Sequence, residues 1–468
     1  MLNKEELASY FNRIAEKRDR WKRRNKLYHK TLSKYYSFII PEKSKVLEIG
    51  SGTGDLLNAV KPSVGVGIDF AINMVEIAQR KYPHLKFYCL DAEEFKLDNK
   101  FDYIILSDIL SSSLDIQKLL NNLRHLIHKR TKLIISNYNY LWEPVLRLGE
   151  FIGLKQKQPV QNWLSYSDIK NLLELEGYEA VKVERKLLLP KYIPLLNFIL
   201  NKFIANLPVI NHLNLICFIT AKPRIEEHKE YSVSIIIPAK NEKGNIENAV
   251  IRTPKFGKSQ QFIFVEGNSK DGTYEEMMRI KKKYRDIDII VIKQSGKGKG
   301  NAVREGFNKA TGDILMILDA DLTTPPEDIP KFYEALSKNR GEFINGCRLV
   351  YPMEKQAMRF LNLLGNKFFG WFFSYLLGQR LKDTLCGTKV LFREDYLRIK
   401  QNRDYFGDFD PFGDFDLLFG AAKLNLKITE VLIRYREREY GSTQIKRFQH
   451  GWLLIKMSLV ASKKLKFR

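Results

Sequence analysis

Two aspartates a single residue apart, Asp319 and Asp321, end the apolar run DILMILDAD. In an extended chain residues i and i+2 face the same side, so the two carboxylates can share one cleft. Hard oxygen donors of that kind suit Mg²⁺ or Mn²⁺, which neutralises a diphosphate leaving group. A second constellation is built from glycine. Gly50, Gly52 and Gly54 lie in KVLEIGSGTGD, where a strand turns tightly and lets the backbone approach a ligand. Asp69 closes the next strand, where an acid can take the two hydroxyls of a ribose. Asp91, with Ala92 beside it, closes the third, within reach of an adenine edge. Asp108 in LSDIL ends the fourth and is placed to act as a base toward an acceptor hydroxyl. His125 and His128, on the basic stretch RHLIHKR, read as solvated surface instead.

Short β-branched runs must carry these residues. KVLEI, VGVGI, KFYCL, YIILS and KLIIS alternate with amphipathic segments such as INMVEIAQRKY, and VSIIIP, QFIFVEG, IDIIVIK and DILMILDAD repeat the pattern further on. This is the signature of βαβ units around parallel sheets. The polar run AKPRIEEHKEYS, residues 221–232, marks a linker, and the domains are expected at 1–225 and 226–468. The predicted fold class is α/β with two Rossmann-like domains.

The first half resembles the class I S-adenosylmethionine-dependent methyltransferases. Glu48, Gly50, Gly52 and Gly54 match that family's first motif, and Asp69 and Asp91 match its second and third. The resemblance covers roughly residues 30–220 and implies that Glu48, the three glycines, Asp69, Asp91 and Ala92 bind S-adenosylmethionine. The spacing departs from the G-x-G-x-x-G of nicotinamide enzymes. Methyl transfer from a sulfonium is a direct displacement governed largely by alignment. The Asn/Asp-Pro-Pro-aromatic motif of nucleic-acid amino-methyltransferases is absent after the fourth strand, which disfavours DNA as the acceptor.

The second half is similar to glycosyltransferase family 2, the GT-A group that includes dolichyl-phosphate mannose and glucose synthases. The matching segments are PAKNE, VEGNSKDGT, KGKGNAVREG, the Asp319/Asp321 pair, DTLCGTK and Asp414-Phe415-Asp416, in family order over about residues 232–450. Glu266-Gly267 stands where the family has paired aspartates, so UDP and GDP donors stay equally open. The resemblance implies inversion at the anomeric carbon, with Asp319 and Asp321 holding the metal and Asp416 or Asp414 removing the acceptor proton. It assigns Pro238, Ala239, Asn241, Glu242, Glu266, Asp271, Lys297, Asn301, Asp319 and Arg438 to substrate. Arg438, Tyr440 and Thr443 resemble a late basic motif that closes over the diphosphate through charge-assisted hydrogen bonds.

The chain has 468 residues, 44% of them hydrophobic, with 78 Lys plus Arg against 54 Asp plus Glu, a net charge of +24. That composition supports folded domains and excludes general disorder, and the charge favours phosphate-bearing partners. Cys89, Cys217, Cys347 and Cys386 fall in no metal or redox spacing, so a reduced cytosolic setting is expected. The start has no apolar core that could serve as a secretory signal. Residues 187–218, the aromatic-rich 359–377 and the acid-free tail after Gly441 combine basic and apolar character, as interfacial segments and buried core helices both do. The ten basic residues between Arg13 and Lys34 read as a solvated helix face. The expectation is a bifunctional enzyme on the cytoplasmic membrane face, using a nucleotide-sugar donor and a glycan, glycolipid or polyprenyl-phosphate acceptor at an anionic membrane surface. Nucleic acid is disfavoured as a partner. The alternatives are a polyprenyl-phosphate glycosyltransferase whose first domain methylates nothing, and a first half that only binds the cofactor or scaffolds.

Overall fold

The computed structural model describes residues 4–158, 161–226, 229–350, 360–405, 413–436, 438, 440 and 447–467. The chain divides into two compact units, Met1–Ile225 and Glu226–Lys466.

The first unit contains helices α1 (Lys4–Arg24), α2 (Lys26–Ile39), α3 (Asp55–Ala59), α4 (Ile72–Lys81), α5 (Ile116–Asn122), α6 (Glu143–Phe151) and α7 (Tyr166–Leu175). Its strands are β1 (Lys45–Ile49), β2 (Val64–Asp69), β3 (Lys86–Cys89), β4 (Tyr103–Ser107), β5 (Lys132–Tyr138), β6 (Tyr178–Lys186) and β7 (Ile216–Pro223). They form one sheet in the order β3-β2-β1-β4-β5-β7-β6. β1 to β5 are mutually parallel, and β7 runs antiparallel to both β5 and β6. Parallel strands covered on both faces read as continuous apolar runs, and Val46, Leu47 and Ile49 of β1 are all fully buried. Apolar clusters fill both sides of the sheet, one around Leu47 and Leu106, the other around Tyr36, Val46 and Phe218. α7 starts on a capping box, in which Ser165 and Asp168 satisfy each other's backbone N–H.

The second unit contains α8 (Ile246–Ile251), α9 (Thr273–Lys283), α10 (Lys299–Lys309), α11 (Ile329–Ser337), α12 (Phe360–Leu377), α13 (Arg393–Gln401), α14 (Asp414–Lys423) and α15 (Arg447–Leu465). Its strands are β8 (Ser232–Ala239), β9 (Ser259–Glu266), β10 (Asp288–Lys293), β11 (Ile314–Ile317), β12 (Phe343–Cys347), β13 (Lys389–Phe392) and β14 (Ile428–Leu432), in the order β10-β9-β8-β11-β13-β12-β14. β8 to β11 are parallel, and β13 is inserted antiparallel between β11 and β12.

The strands read from the sequence all form, and the α/β class with two Rossmann-like units holds. The reading of residues 221–232 as linker needs a correction at its start. β7 runs through Ala221 to Pro223, because these residues pair with Leu133 of β5 and with Tyr178 to Ala180 of β6. The segment 359–377 is largely a core helix. α12 buries Phe369, Phe373, Leu376 and Leu377, with Phe373 against Phe415 of α14, and exposes Phe368 and Trp371. Among the described residues, no helix is long and apolar enough to cross a membrane.

Candidate active sites

In each sheet the strand order reverses once within its parallel part, between β1 and β4 and between β8 and β11. Crevices at the carboxyl ends of strands beside such a switch point are where open α/β sheets bind ligands.

In the first unit the turn after β1 is held open by left-handed backbone at Gly50, Gly52 and Gly54. No atom lies within 4 Å of where a side chain on Gly52 would begin, so the turn has free space above it. Asp69, buried at the end of β2, accepts from the Gly52 N–H at 2.9 Å and the Ala71 N–H at 3.0 Å, which fixes its carboxylate beside the turn. Glu48 is buried within β1, and its Oε2 has no partner among the described residues. Burial, only partly offset by the Lys22 charge, pushes its pKa up to about 8. Asp91 follows β3, takes the Glu93 N–H at 2.9 Å and pairs with Lys4 at 2.6 Å, while Ala92 is half-buried against the core. Open glycine backbone with a fixed acid at each neighbouring strand end fits an adenosyl group.

Helix α1 crosses this edge. Besides Lys4 at Asp91, it brings Phe11 to Phe70 after β2, and Lys22 to Thr53 at 2.7 Å and to Asp55. The basic run is therefore not simply a solvated face, since Lys22 is committed to the glycine turn. Asp108 stands in left-handed backbone after β4, anchored by its N–H to Ser136 O. Its Oδ2 accepts from the Tyr28 hydroxyl of α2 at 2.6 Å, and its Oδ1 faces the Ser136 hydroxyl at 3.4 Å. Burial dominates these bonds and raises Asp108 to about 6, within range for a general base near neutrality. No motif marks Tyr28 or Lys22, which reach the edge from helices rather than strand ends. His128 lies elsewhere, 3.3 Å from Asp102 at the opposite end of β4, and His125 is exposed.

In the second unit Asp319 and Asp321 do not continue the strand. β11 ends at Ile317, and the pair occupies a turn closed by the Leu322 N–H on Asp319 O at 3.1 Å. The two carboxylates consequently meet different cations. Asp319 pairs with Lys299, the first residue of α10, at 2.5 Å, and Asp321 with Arg438 at 2.7 Å. Burial alone would raise Asp319, but the charges of Lys299, Arg348 and Lys389 outweigh it and hold the carboxyl below its ordinary pKa. Arg438 also donates to Glu242 Oε1 at 2.9 Å, joining the end of β8 to the turn after β11. Burial pushes Glu242 up to about 7 despite Arg438.

Asn241 sits in left-handed backbone, with its N–H on Ser269 and its Oδ1 taking the Lys270 N–H at 2.8 Å. Asp271 caps Thr273 and receives the Tyr440 hydroxyl at 3.3 Å. Glu266, buried at the end of β9, accepts from Ser269 N–H and lies opposite Ala239, while Pro238 pairs with Val265. The structure thus gathers Asn241, Glu242, Glu266, Asp271, Asp321, Arg438 and Tyr440. Asn301 instead accepts from Gln294 at 2.9 Å, and Lys297 is exposed, so Lys299 is the lysine of KGKG that reaches Asp319.

Asp416 lies on α14, bound at 2.8 Å to Arg403, a residue not expected from the sequence. A side chain on Gly413 would begin 3.0 Å from the Gly300 Cα, so the start of α14 lies close beside the start of α10. The Asp414 side chain and Thr443 lie outside the described residues. Asp383 of DTLCGTK is fully buried. Although burial opposes its ionisation, a two-pronged contact from Arg348 (2.7 and 2.9 Å) holds it at about 2. No group of three or more His, Cys, Asp or Glu side chains positioned to hold a metal occurs among the described residues. Asp319 and Asp321 still fit a magnesium-like ion, which is commonly held by one or two carboxylates with the rest supplied by phosphates and water.

Two switch-point crevices lined in this way define a tandem of Rossmann-like ligand-binding domains. A methyltransferase-domain model matches residues 18–183, and the glycosyl transferase family 2 model matches residues 234–398. The chain carries a methyltransferase domain followed by a family 2 glycosyltransferase domain. It is similar to the dolichol-phosphate mannosyltransferase of Saccharomyces cerevisiae, at 40% identity over 112 residues, 23% of this chain and 41% of that protein. It is also similar to glycosyltransferase AglJ of Haloferax volcanii, at 30% over 212 residues, 45% of this chain and 65% of that protein. The chain thus spans less than two thirds of either relative's length. Among solved structures, a SAM-dependent methyltransferase from Thermotoga maritima is 16% identical, with a TM-score of 0.37, over 46% of this chain and 99% of that one.

Proposed function

We propose that the second unit transfers a sugar from a nucleotide diphosphate donor to a polyprenyl-phosphate acceptor, and that the first methylates a hydroxyl of a related glycan or glycolipid. The carrying observation is the Arg438 bridge, which brings Glu242 from the loop after β8 and Asp321 from the turn after β11 to one point at the switch edge. The similarity of the second unit to a dolichol-phosphate mannosyltransferase supports the acceptor class.

In this reading Asp319 and Asp321 hold a divalent cation, which supplies charge neutralisation of the leaving diphosphate. Pro238, Ala239, Asn241, Glu242, Glu266 and Asp271 line the nucleotide side, where the Asn241 and Asp271 contacts stiffen two loops against each other. Lys299 and Arg438 serve the diphosphate. The guanidinium of Arg438 is complementary to phosphate oxygens and exchanges its carboxylate partners for them when the donor enters. Asp416, paired with Arg403, serves the acceptor side, and Asp414 is assigned to it by the sequence motif. A phosphate acceptor is already ionised at neutral pH and needs orientation more than proton removal.

In the first unit Glu48, Gly50, Gly52, Gly54, Asp69, Asp91 and Ala92 bind S-adenosylmethionine, which supplies the electrophilic methyl group. Asp108 takes the acceptor proton, oriented by Tyr28 and Ser136. Donor turnover by the native chain and by Asp321→Ala, over a panel of nucleotide sugars with Mg²⁺ or Mn²⁺, tests the second unit. Equal activity in both proteins would refute the assignment. Calorimetric titration of S-adenosylmethionine followed by methyl transfer to glycan extracts tests the first. Binding without turnover would leave it a cofactor-binding module.

A further inference from the structure

Residues 187–215 of the first unit are built inside out. Their asparagines point inward. Asn197 donates to Leu189 O and Lys191 O, Asn201 to Leu189 O, and Asn206 to Lys202 O. Asn211 and Asn214 each donate to Arg185 O and Ala205 O. Four of these five asparagines are buried, Asn214 completely. Between the buried Leu187 and Leu215 at its ends, most large apolar side chains point outward instead, with Val209 83%, Leu195 74% and Tyr192 74% exposed. Water-facing segments have the opposite bias, because an exposed apolar side chain gains nothing and a surface backbone group can bond to water. A segment that satisfies its own carbonyls internally and turns its apolar side chains out is arranged for a medium without water.

Helix α6 extends this face. It buries no residue completely, and it exposes Val145, Leu148 and, at 89%, Phe151. Its base is joined to the segment by Trp142 Nε1 on Leu213 O at 2.7 Å and by Asn139 on His212 O at 2.7 Å. Contiguous exposure on this scale marks an interaction surface. The charge around it selects the partner. No acidic residue occurs from Phe151 to Ser167 or from Leu187 to Leu215, whereas Lys155, Lys157, Lys191 and Lys202 do. The two acids of α6, Glu143 and Glu150, are already paired with Arg147 and Lys155. A second copy would bring like charges together, whereas an anionic leaflet attracts Lys157, Lys191 and Lys202.

We infer that α6 and the 187–215 segment form a docking face that inserts its apolar side chains into the interface of an anionic lipid bilayer. The inference needs no activity of either unit. The face begins at Glu143, five residues after Tyr138, whose ring packs 5.4 Å from Tyr28 beside Asp108. If the methyl-transfer reading holds, a membrane-borne acceptor would meet the sheet at that edge.

The test uses the full chain with vesicles of phosphatidylcholine containing 30% phosphatidylglycerol. Hydrogen exchange is expected to slow over residues 143–152 and 190–213 when vesicles are added. Cosedimentation should weaken at least tenfold for Leu148→Glu/Phe151→Glu/Val209→Glu, with S-adenosylmethionine affinity unchanged as the check on folding. Vesicle binding without protection of those two stretches would overturn the inference, because the membrane contact would then lie elsewhere. So would absence of vesicle binding, or protection that appears without lipid and follows dimerisation in light scattering. Were the triple variant misfolded, the exchange pattern of the native chain would still decide.

Discussion

Glu48→Gln isolates a carboxyl whose protonation is tied to the folding of the first unit. In the folded chain burial raises Glu48 to about 8, against an ordinary value near 4.5. The folded state therefore holds a proton that the unfolded state has released between these values. With fewer protons bound when unfolded, stability falls as pH rises through that window. A displacement of roughly 3.5 pH units at about 1.4 kcal/mol each gives an upper bound of about 5 kcal/mol between pH 4.5 and 8. Other groups titrate nearby, among them Asp69, which burial raises and which acts in the same direction. Asp108, raised to about 6, acts in the same direction. His29, pushed down to about 3 by burial and by Arg18 and Lys22, acts in the opposite one below pH 6.5. These cancel in the difference between native and variant. The assay is native-state hydrogen exchange of the Val46–Ile49 amides from pH 5 to 8.5, corrected for intrinsic rates. The native chain should lose several kcal/mol of opening free energy across the range that Glu48→Gln keeps. Parallel curves for the two proteins would show that Glu48 titrates alike in both states and refute the reasoning.

A side chain on Gly387 would begin 2.0 Å from Asp319 Oδ2 and 2.3 Å from Lys299 Nζ, so Gly387→Ala must displace that ion pair. Glycosyl transfer should fall about a hundredfold, the usual result of ångström-scale misplacement, with S-adenosylmethionine binding unchanged in calorimetry. Tyr28→Phe removes the 2.6 Å hydrogen bond that favours ionised Asp108. The acidic limb of the methyl-transfer pH profile should then move up by about one unit from its native position near 6. An unmoved limb would remove Asp108 from the role of base.

The fold was legible where one strand carries one signal. Parallel strands buried on both faces leave uninterrupted apolar runs, so VGVGID or YIILSD announces itself. β7 did not, because ICFIT follows an apolar stretch whose outward-facing side chains mimic a core helix, and its reversal is set by pairing with β5 and β6. The glycine turn was legible because its backbone conformation restricts residue type. The charge partners were not. KGKG offers two lysines, and only the point where α10 begins decides that Lys299 reaches Asp319. Lys22 looked like one of ten solvated bases, yet the crossing of α1 over the sheet edge places it at Thr53. Asp319-Ala320-Asp321 was read as extended, but the turn closed on Asp319 O sends each carboxylate to its own cation.

That last difference bears on the order in which ligands enter the second unit. A metal ion approaching Asp319 and Asp321 finds Lys299 and Arg438 already in contact with them. Displacing two cations by a third gains little unless the displaced charges acquire new partners. A diphosphate provides them, since both side chains make charge-assisted bonds to phosphate oxygens. Metal and nucleotide should therefore bind cooperatively, and linkage requires each to tighten the other by one common factor, typically 5- to 150-fold. Titrating Mn²⁺ by electron paramagnetic resonance with and without UDP or GDP measures that factor. Arg438→Ala should raise the affinity for Mn²⁺ alone and shrink the coupling, because one competitor for the carboxylates is gone. Mn²⁺ binding to the free native chain as tightly as to the nucleotide-loaded one would show that the resident ion pairs do not compete with metal.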